Sequence, residues 1–348
     1  MKKVLVILPY GNIHLERFLQ YVERTYAVDY FIHKNAGAYR NHISDNEILR
    51  KSISSFKLYS NVIRRKYDII FTHGIFYPYL IFLHLAHHNN IIILSEMFRK
   101  NFNSGLKGLL KRIHFNRIAK NNSVSIFMFG DSIIKQQYQQ LTKRSLQFYT
   151  YGMYPDLQAI KNIKSTKDKP IRFIFAGQFI IRKNITLILR SISITEQFKK
   201  NEATFTFIGE GPEENRIRSE PKANLLKTLP KKELFKVLAQ SDVLVLVSEF
   251  EGWGAIVNEA CACGCALILS RNVGAGKLFM EETRNGYYCD TNPESLSACF
   301  NLITENVEKL SSMKNNSQII FRQIYSDHDV NLSRNISKAL NSINISSI

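Results

Sequence analysis

Short apolar runs, each about a strand long, alternate along the whole chain with longer stretches of helical spacing. That alternation restricts the fold more than any other feature of the sequence, because it is the pattern of parallel sheets covered by helices. VLVILP at 4–9, DIIFTH at 68–73, IIILS at 91–95 and SIFMFG at 125–130 predict the strands of a first sheet. RFIFAG at 172–177, TFTFIG at 204–209, DVLVLVS at 242–248 and CALILS at 265–270 predict a second. The polar, lysine-rich stretch between Pro155 and Pro170 separates the two series and reads as a linker. With 348 residues the chain can bury two cores. The expected organisation is α/β with two Rossmann-like domains, 1–160 and 161–326, and a closing helix in 327–348 that returns toward the first domain.

Several other classes are disfavoured. Cys261, Cys263 and Cys265 alternate with small residues in one short segment, without a second pair at zinc-like spacing, so they read as packing residues and no metal site is expected. The N-terminal apolar run stops at Pro9, too early for the core of an export signal. Residues 69–95 hold no Lys, Arg, Asp or Glu, but Pro78 and the His/Asn cluster at 84–90 break the stretch, which reads as strand, loop, helix and strand rather than a span. Charge is lopsided. Residues 1–170 hold 26 Lys and Arg against 10 Asp and Glu, whereas residues 171–348 hold 21 against 19. A basic first half attracts phosphate-bearing partners.

The densest cluster of chemistry is SEFEGWGAIVNEACACGCAL, residues 248–267, which follows the buried strand DVLVLVS. Gly252 and Gly254 give a loop that can bring backbone amides near a ligand before a helix begins near Ala255 and Ile256, and a helix start is an anion site. Glu251 and Glu259 lie eight positions apart, about 2.2 helical turns, so one belongs to the loop and the other to the helix. RFIFAGQFIIRKN, residues 172–184, is a strand ending in Gly177 and Gln178, followed by Arg182 and Lys183 at a helix start, where two cations could neutralise a diphosphate. FTFIGEGPEE, residues 205–214, adds the turn of Gly209 and Gly211. All of these turns fall at strand carboxyl ends, where open parallel sheets bind ligands.

With that order of motifs, residues 171–290 resemble the nucleotide-binding half of the group 1 retaining glycosyltransferases. The resemblance rests on Gly177, Lys183, Gly209, Gly211, Pro212, Glu251, Gly252, Gly254 and Glu259. It implies a GT-B fold, two Rossmann-like domains facing a central cleft, and transfer of a sugar from a nucleoside diphosphate without a metal or other cofactor. It further implies that Lys183 holds the diphosphate, Glu251 the sugar and Glu259 the ribose, with amides near Ala255 and Ile256 on phosphate or sugar. Gln178 departs from the family pattern, which has arginine there; Arg182 is placed to compensate.

The first half carries fewer signals. Pro9-Tyr10-Gly11-Asn12 resembles the turn that faces the donor phosphates, with Gly11 at its tip. His73 ends the strand DIIFTH on the acceptor side, and Glu96 follows IIILS as a candidate for orienting the acceptor hydroxyl. SGLKGLLKRIHFNRIAKNN at 104–122 reads as a basic amphipathic helix, with its leucines and isoleucines turned inward and the cations around 99–120 turned to an anionic membrane. The expected acceptor is a glycan or lipid-linked acceptor of surface polysaccharide or lipopolysaccharide synthesis, with the protein cytoplasmic and peripheral at the inner face of the membrane. An epimerase or phosphorylase on the same fold is the nearest rival. A basic nucleic-acid-binding protein is the rival from another class; the glycine turns sit in the nearly neutral half and no nucleic-acid module is visible, so no nucleic-acid partner is expected.

Overall fold

This computed structural model describes residues 2–8, 16–32, 53–75, 83, 89–98, 104–129, 132–151, 170–326 and 334–339. The chain separates into two compact units, Met1–Met153 with His328–Ile348, and Tyr154–Asp327.

In the first unit β1 (Lys3–Leu8), β2 (Ala27–Ile32), β3 (Ile69–His73), β4 (Asn90–Ser95), β5 (Ser123–Phe129) and β6 (Gln147–Tyr151) form one sheet in the order β2-β1-β3-β4-β5-β6. Every pairing is parallel. The continuous apolar runs account for this, since β1, β3, β4 and β5 are covered on both faces and bury nearly every residue. The charge-free stretch 69–95 contains β3 and β4, and among the described residues no helix is long and apolar enough to cross a membrane. The proposed linker and the Gly11 turn lie outside the described residues.

The helix Gly105–Asn121 forms as the sequence predicts, but its orientation differs. Gly108, Phe115 and Ile118 face inward, whereas Leu106, Leu109 and Ile113 are exposed. The helix has apolar residues on two sides. Only the side where Gly108 removes bulk and Phe115 fills the space beside β4 and β5 packs on the sheet.

The second unit builds β7 (Ile171–Ala176), β8 (Ala203–Ile208), β9 (Ala223–Leu226), β10 (Val243–Leu246), β11 (Ala266–Ser270) and β12 (Gly286–Cys289) into a parallel sheet ordered β12-β11-β10-β7-β8-β9. Counted within its own unit, this is the Rossmann order, with the reversal between β7 and β10. Phe173, Phe198, Phe205 and Phe300 pack as one aromatic cluster, with Phe173 and Phe205 stacked and Phe300 edge-on to Phe173 and Phe198.

At the opposite, amino end of the same two strands, Asp242 is buried. It accepts from the Arg172 amide at 2.9 Å and guanidinium at 3.3 Å, and from Lys314 at 2.5 Å. Asp242→Ala removes the buried carboxylate that Arg172 and Lys314 share, so unfolding should become easier by roughly 3 kcal/mol. A denaturant midpoint equal to that of the parent chain would contradict this reading.

Cys261 and Cys263, on the helix Ala255–Cys263, and Cys265, just after it, are buried, and their thiols point at backbone carbonyls. Burial pushes the Cys265 thiol up to about 12. These are packing residues, protonated at neutral pH.

Candidate active site

The site is assembled where β7 and β10 end, at the reversal of strand order. After β7 the chain makes a turn through Gly177 and half-buried Gln178, then a 3-10 turn, Ile181–Lys183. Asn184, in the left-handed region at φ 57, stops that turn and starts the helix Ile185–Ile194. After β10 the chain continues through Val247 and a bend at Glu249 to Glu251. The two segments are stitched together: Asn184 Nδ2 donates to the Val247 carbonyl at 2.8 Å, and the Glu249 amide donates to the Arg182 carbonyl at 2.9 Å. Arg182 Nη1 donates to the Phe250 carbonyl at 2.8 Å.

The stitching brings three predicted side chains to one point. Arg182 Nη1 donates to Glu251 Oε2 at 3.0 Å, and Lys183 Nζ pairs with the same oxygen. Glu251 and Lys183 are nearly enclosed, with 13% and 9% of their side chains exposed, so the pair is screened little by water. Arg182, at 29%, is the more open cation. Gly177 borders the ammonium group: a Cβ built there would sit 4.0 Å from Lys183 Nζ. Arg182 therefore shares the carboxylate with Lys183, close to the turn that carries Gln178.

A third strand end fixes the glutamate loop from the other side. The Glu251 amide donates to the Asn272 carbonyl at 3.1 Å, the Gly274 amide to the Glu251 carbonyl at 3.0 Å, and the Ala275 amide to the Trp253 carbonyl at 2.7 Å. Trp253 is buried beneath the loop with its ring edge-on to Phe279. Buried Gly252 presses its carbonyl toward Gly274. Gly254 then caps the helix Ala255–Cys263 at φ 87, a conformation glycine adopts without penalty. With glycine at the cap, no cap side chain bonds to the first-turn amides near half-buried Ala255 and Ile256, the end of a helix at which anions are favoured.

Gly209 and Gly211 have a different immediate role. A Cβ on Gly209 would fall 2.0 Å from the Gly177 carbonyl oxygen, and one on Gly211 2.5 Å from the Phe179 carbonyl oxygen. The two glycines let the turn after β8 lie directly against the turn after β7.

Glu259 lies in the middle of the helix Ala255–Cys263 and is buried. Burial pushes its carboxyl up to about 7, against a smaller opposing pull from Lys231. A carboxyl whose folded-state value lies above the ordinary 4.5 holds its proton more tightly in the folded chain. It therefore favours folding below about 4.5 and loses that contribution as pH rises through about 7. Glu259→Gln should melt higher than the parent at pH 8, by roughly 3 kcal/mol at most, with the advantage shrinking toward pH 5. Identical melting curves at both pH values would refute this.

In the first unit, His73 and Glu96 meet at the carboxyl ends of β3 and β4, with Nε2 and Oε1 3.8 Å apart. Burial lowers the His73 imidazole to about 4, so it is neutral at physiological pH, and its ring lies against Phe129. Among the described residues no group of three His, Cys, Asp or Glu side chains is placed to hold a metal ion. One Asp-x-Asp triplet, Asp327-His328-Asp329, lies outside the described residues.

Asn184 and Gly274 support the site without a role that the sequence motifs described above assign them. RNVGAG at 271–276 is itself a glycine turn after a buried strand, CALILS, so the rule that found the other turns applies to it equally.

Residues 156–319 match the family model described as Glycosyl transferases group 1. No curated protein matches the chain. Among solved structures, HepE of Anabaena in complex with UDP and glucose aligns with a TM-score of 0.69 at 14% identity, over 98% of this chain and 100% of that one. Sucrose-phosphate synthase of Thermosynechococcus elongatus aligns at 0.68 and 12% identity over the whole of both chains. The pneumococcal O-GlcNAc transferase GtfA, in complex with UDP and GlcNAc, aligns at 0.62 and 16% identity, over 82% of this chain and 59% of that one. These likenesses establish the two-domain GT-B fold.

Proposed function

We propose, on the premise that residues 156–319 are a group 1 glycosyltransferase domain within a GT-B fold, that the chain moves a sugar from a nucleoside diphosphate sugar to an acceptor hydroxyl with retention of anomeric configuration. The observation that carries the reading is the meeting of Lys183, Arg182 and Glu251 at the carboxyl end of β7, next to the open helix start at Gly254. A diphosphate would draw on the two cations and the helix amides, and Glu251 would be left to accept hydrogen bonds from sugar hydroxyls. HepE in complex with UDP and glucose, and GtfA in complex with UDP and GlcNAc, share the fold and support a donor of this class.

In the reaction the bond from the anomeric carbon to the diphosphate oxygen breaks and a bond to the acceptor oxygen forms. The acceptor proton passes to the departing diphosphate on the same face, so no covalent nucleophile is required. Negative charge grows on the leaving group, and fixed positive groups aimed at it supply the main catalytic effect. Lys183, Arg182 and the first-turn amides of the helix Ala255–Cys263 fill that role, and a metal ion is not required. Glu259 would take the ribose hydroxyls. Glu96, with neutral His73 beside it on the acceptor side, would orient the acceptor hydroxyl.

The acceptor we infer is lipid-linked or a growing surface polysaccharide such as lipopolysaccharide, met at the inner face of the membrane through the basic segment around 99–120. Incubating the chain with a panel of nucleoside diphosphate sugars, with and without lipid-linked acceptors, tests this. Acceptor-dependent release of nucleoside diphosphate, an axial product bond from an axial donor and turnover unchanged by a chelator are expected. Conversion of the donor alone would identify an epimerase, and dependence on added metal would remove the proposed charge stabilisation.

A further inference from the structure

Two helices of the first unit turn an apolar stripe outward. On the helix Ser55–Ile63, Phe56 is 85% exposed, Tyr59 43% and Ile63 62%; on Gly105–Asn121, Leu106 is 72% exposed, Leu109 45% and Ile113 55%. Each trio follows the spacing i, i+3, i+7, a line along one side of a helix. The inward residues of both helices, Leu58 and Val62 on one and Phe115 and Ile118 on the other, join a single cluster with Ile70 and Ile93 of the sheet. Both helices therefore cover the same sheet face, and both stripes point away from it.

The charge around the stripes is of one sign. Residues 55–66 hold four Lys or Arg and residues 104–121 hold five, with no Asp or Glu in either segment. An open cavity of about 550 Å³ lined by Lys135, Lys143 and Arg144 adjoins the second helix. Thr142, in its wall, is hydrogen-bonded to Asn116 of that helix at 2.7 Å.

We propose that this face is a docking surface for an anionic lipid bilayer. The two stripes enter the boundary between headgroups and acyl chains, and the flanking cations and the cavity take headgroup phosphates. A second copy of the chain is a poorer occupant, because face-to-face association would set cations against cations. A nucleic acid would satisfy the charge and leave the stripes in water. The proposal rests on the membrane-side reading of the acceptor, but lipid contact is measured without sugar transfer, so each can fail alone.

Trp253 is the chain's single tryptophan and is 1% exposed, so a tryptophan placed on a stripe reports against a quiet background. The test uses the full chain as Phe56→Trp and as Leu106→Trp, with vesicles of phosphatidylcholine and phosphatidylglycerol. Emission from both positions should move to the blue and be quenched by bromines carried on the acyl chains. The double variant Phe56→Ser with Leu106→Ser should lose about tenfold or more in vesicle partition, while its melting shift with nucleoside diphosphates stays that of the parent. Emission that is unmoved when vesicles sediment the protein, or failure of the vesicles to sediment it, overturns the proposal. So does a blue shift without lipid in a chain that sediments as a dimer, which would assign the face to a second copy.

Discussion

Lys183→Ala should lower sugar transfer by about a thousandfold, because in the proposed reaction it removes the most enclosed positive group from the place where the leaving diphosphate gathers charge. The same change has a smaller effect on folding. Glu251 keeps Arg182 at 3.0 Å, so the carboxylate is not left alone, and loss of one partner from a pair that still has a second should cost about 1–2 kcal/mol. Glu251→Ala should abolish transfer by the complementary route: it frees both cations and removes the oxygens proposed to accept from the sugar hydroxyls. Rate and melting temperature measured on the same preparations separate the two effects. A Lys183→Ala chain that keeps its full rate would remove the donor-site assignment, whatever its stability.

The second large effect is expected at Gly274, which touches no proposed ligand. A Cβ at this position falls 2.2 Å from the Gly252 carbonyl oxygen and 3.3 Å from Trp253 Cα. Both neighbours are backbone atoms, so the clash cannot be relieved by turning a side chain. The loop carrying Glu251 must shift by about an ångström, and a misplacement of that size costs about a hundredfold in rate. Gly274→Ala should therefore lose transfer while the β11 and β12 region stays folded. The readout is kcat with a saturating donor, set beside the circular dichroism and melting curve of the variant. A rate within twofold of the parent would show that the loop does not depend on this contact.

How far the sequence discloses the fold depends on where a strand lies in its sheet. The apolar runs at 4–9, 68–73, 91–95, 125–130, 172–177, 204–209, 242–248 and 265–270 all correspond to observed strands. The four strands without such a run, β2, β6, β9 and β12, are the outer strands of the two sheets. An outer strand has a neighbour on one side only, and segments such as ANLL in β9 alternate between half-buried and exposed residues rather than forming a continuous apolar block.

The candidate site was legible because its residues sit on consecutive glycine turns at strand ends, and topology gathers such ends at the reversal of strand order. What one sequence could not convey was the support around them. Asn184 acts through a left-handed backbone and a bond to the Val247 carbonyl, and Gly274 through the space it leaves open; neither carries chemistry of its own. The orientation of the helix Gly105–Asn121 was hidden for another reason. Leu106, Leu109 and Ile113 follow a helical line as regular as that of Gly108, Phe115 and Ile118, and only packing decides between them.

Thermal melting of the parent chain and of Lys183→Ala with nucleoside diphosphates and their sugars measures the grip of the β7 and β10 strand ends on a donor, because a ligand that binds only the folded chain raises its melting point. At least one nucleoside diphosphate should stabilise the parent, and Lys183→Ala should lose most of that gain while Asp242→Ala, at the far end of the same strands, keeps it. If no nucleotide moves the parent's melting point, or if one stabilises Lys183→Ala equally, the cations and carboxylate gathered there do not form a donor site.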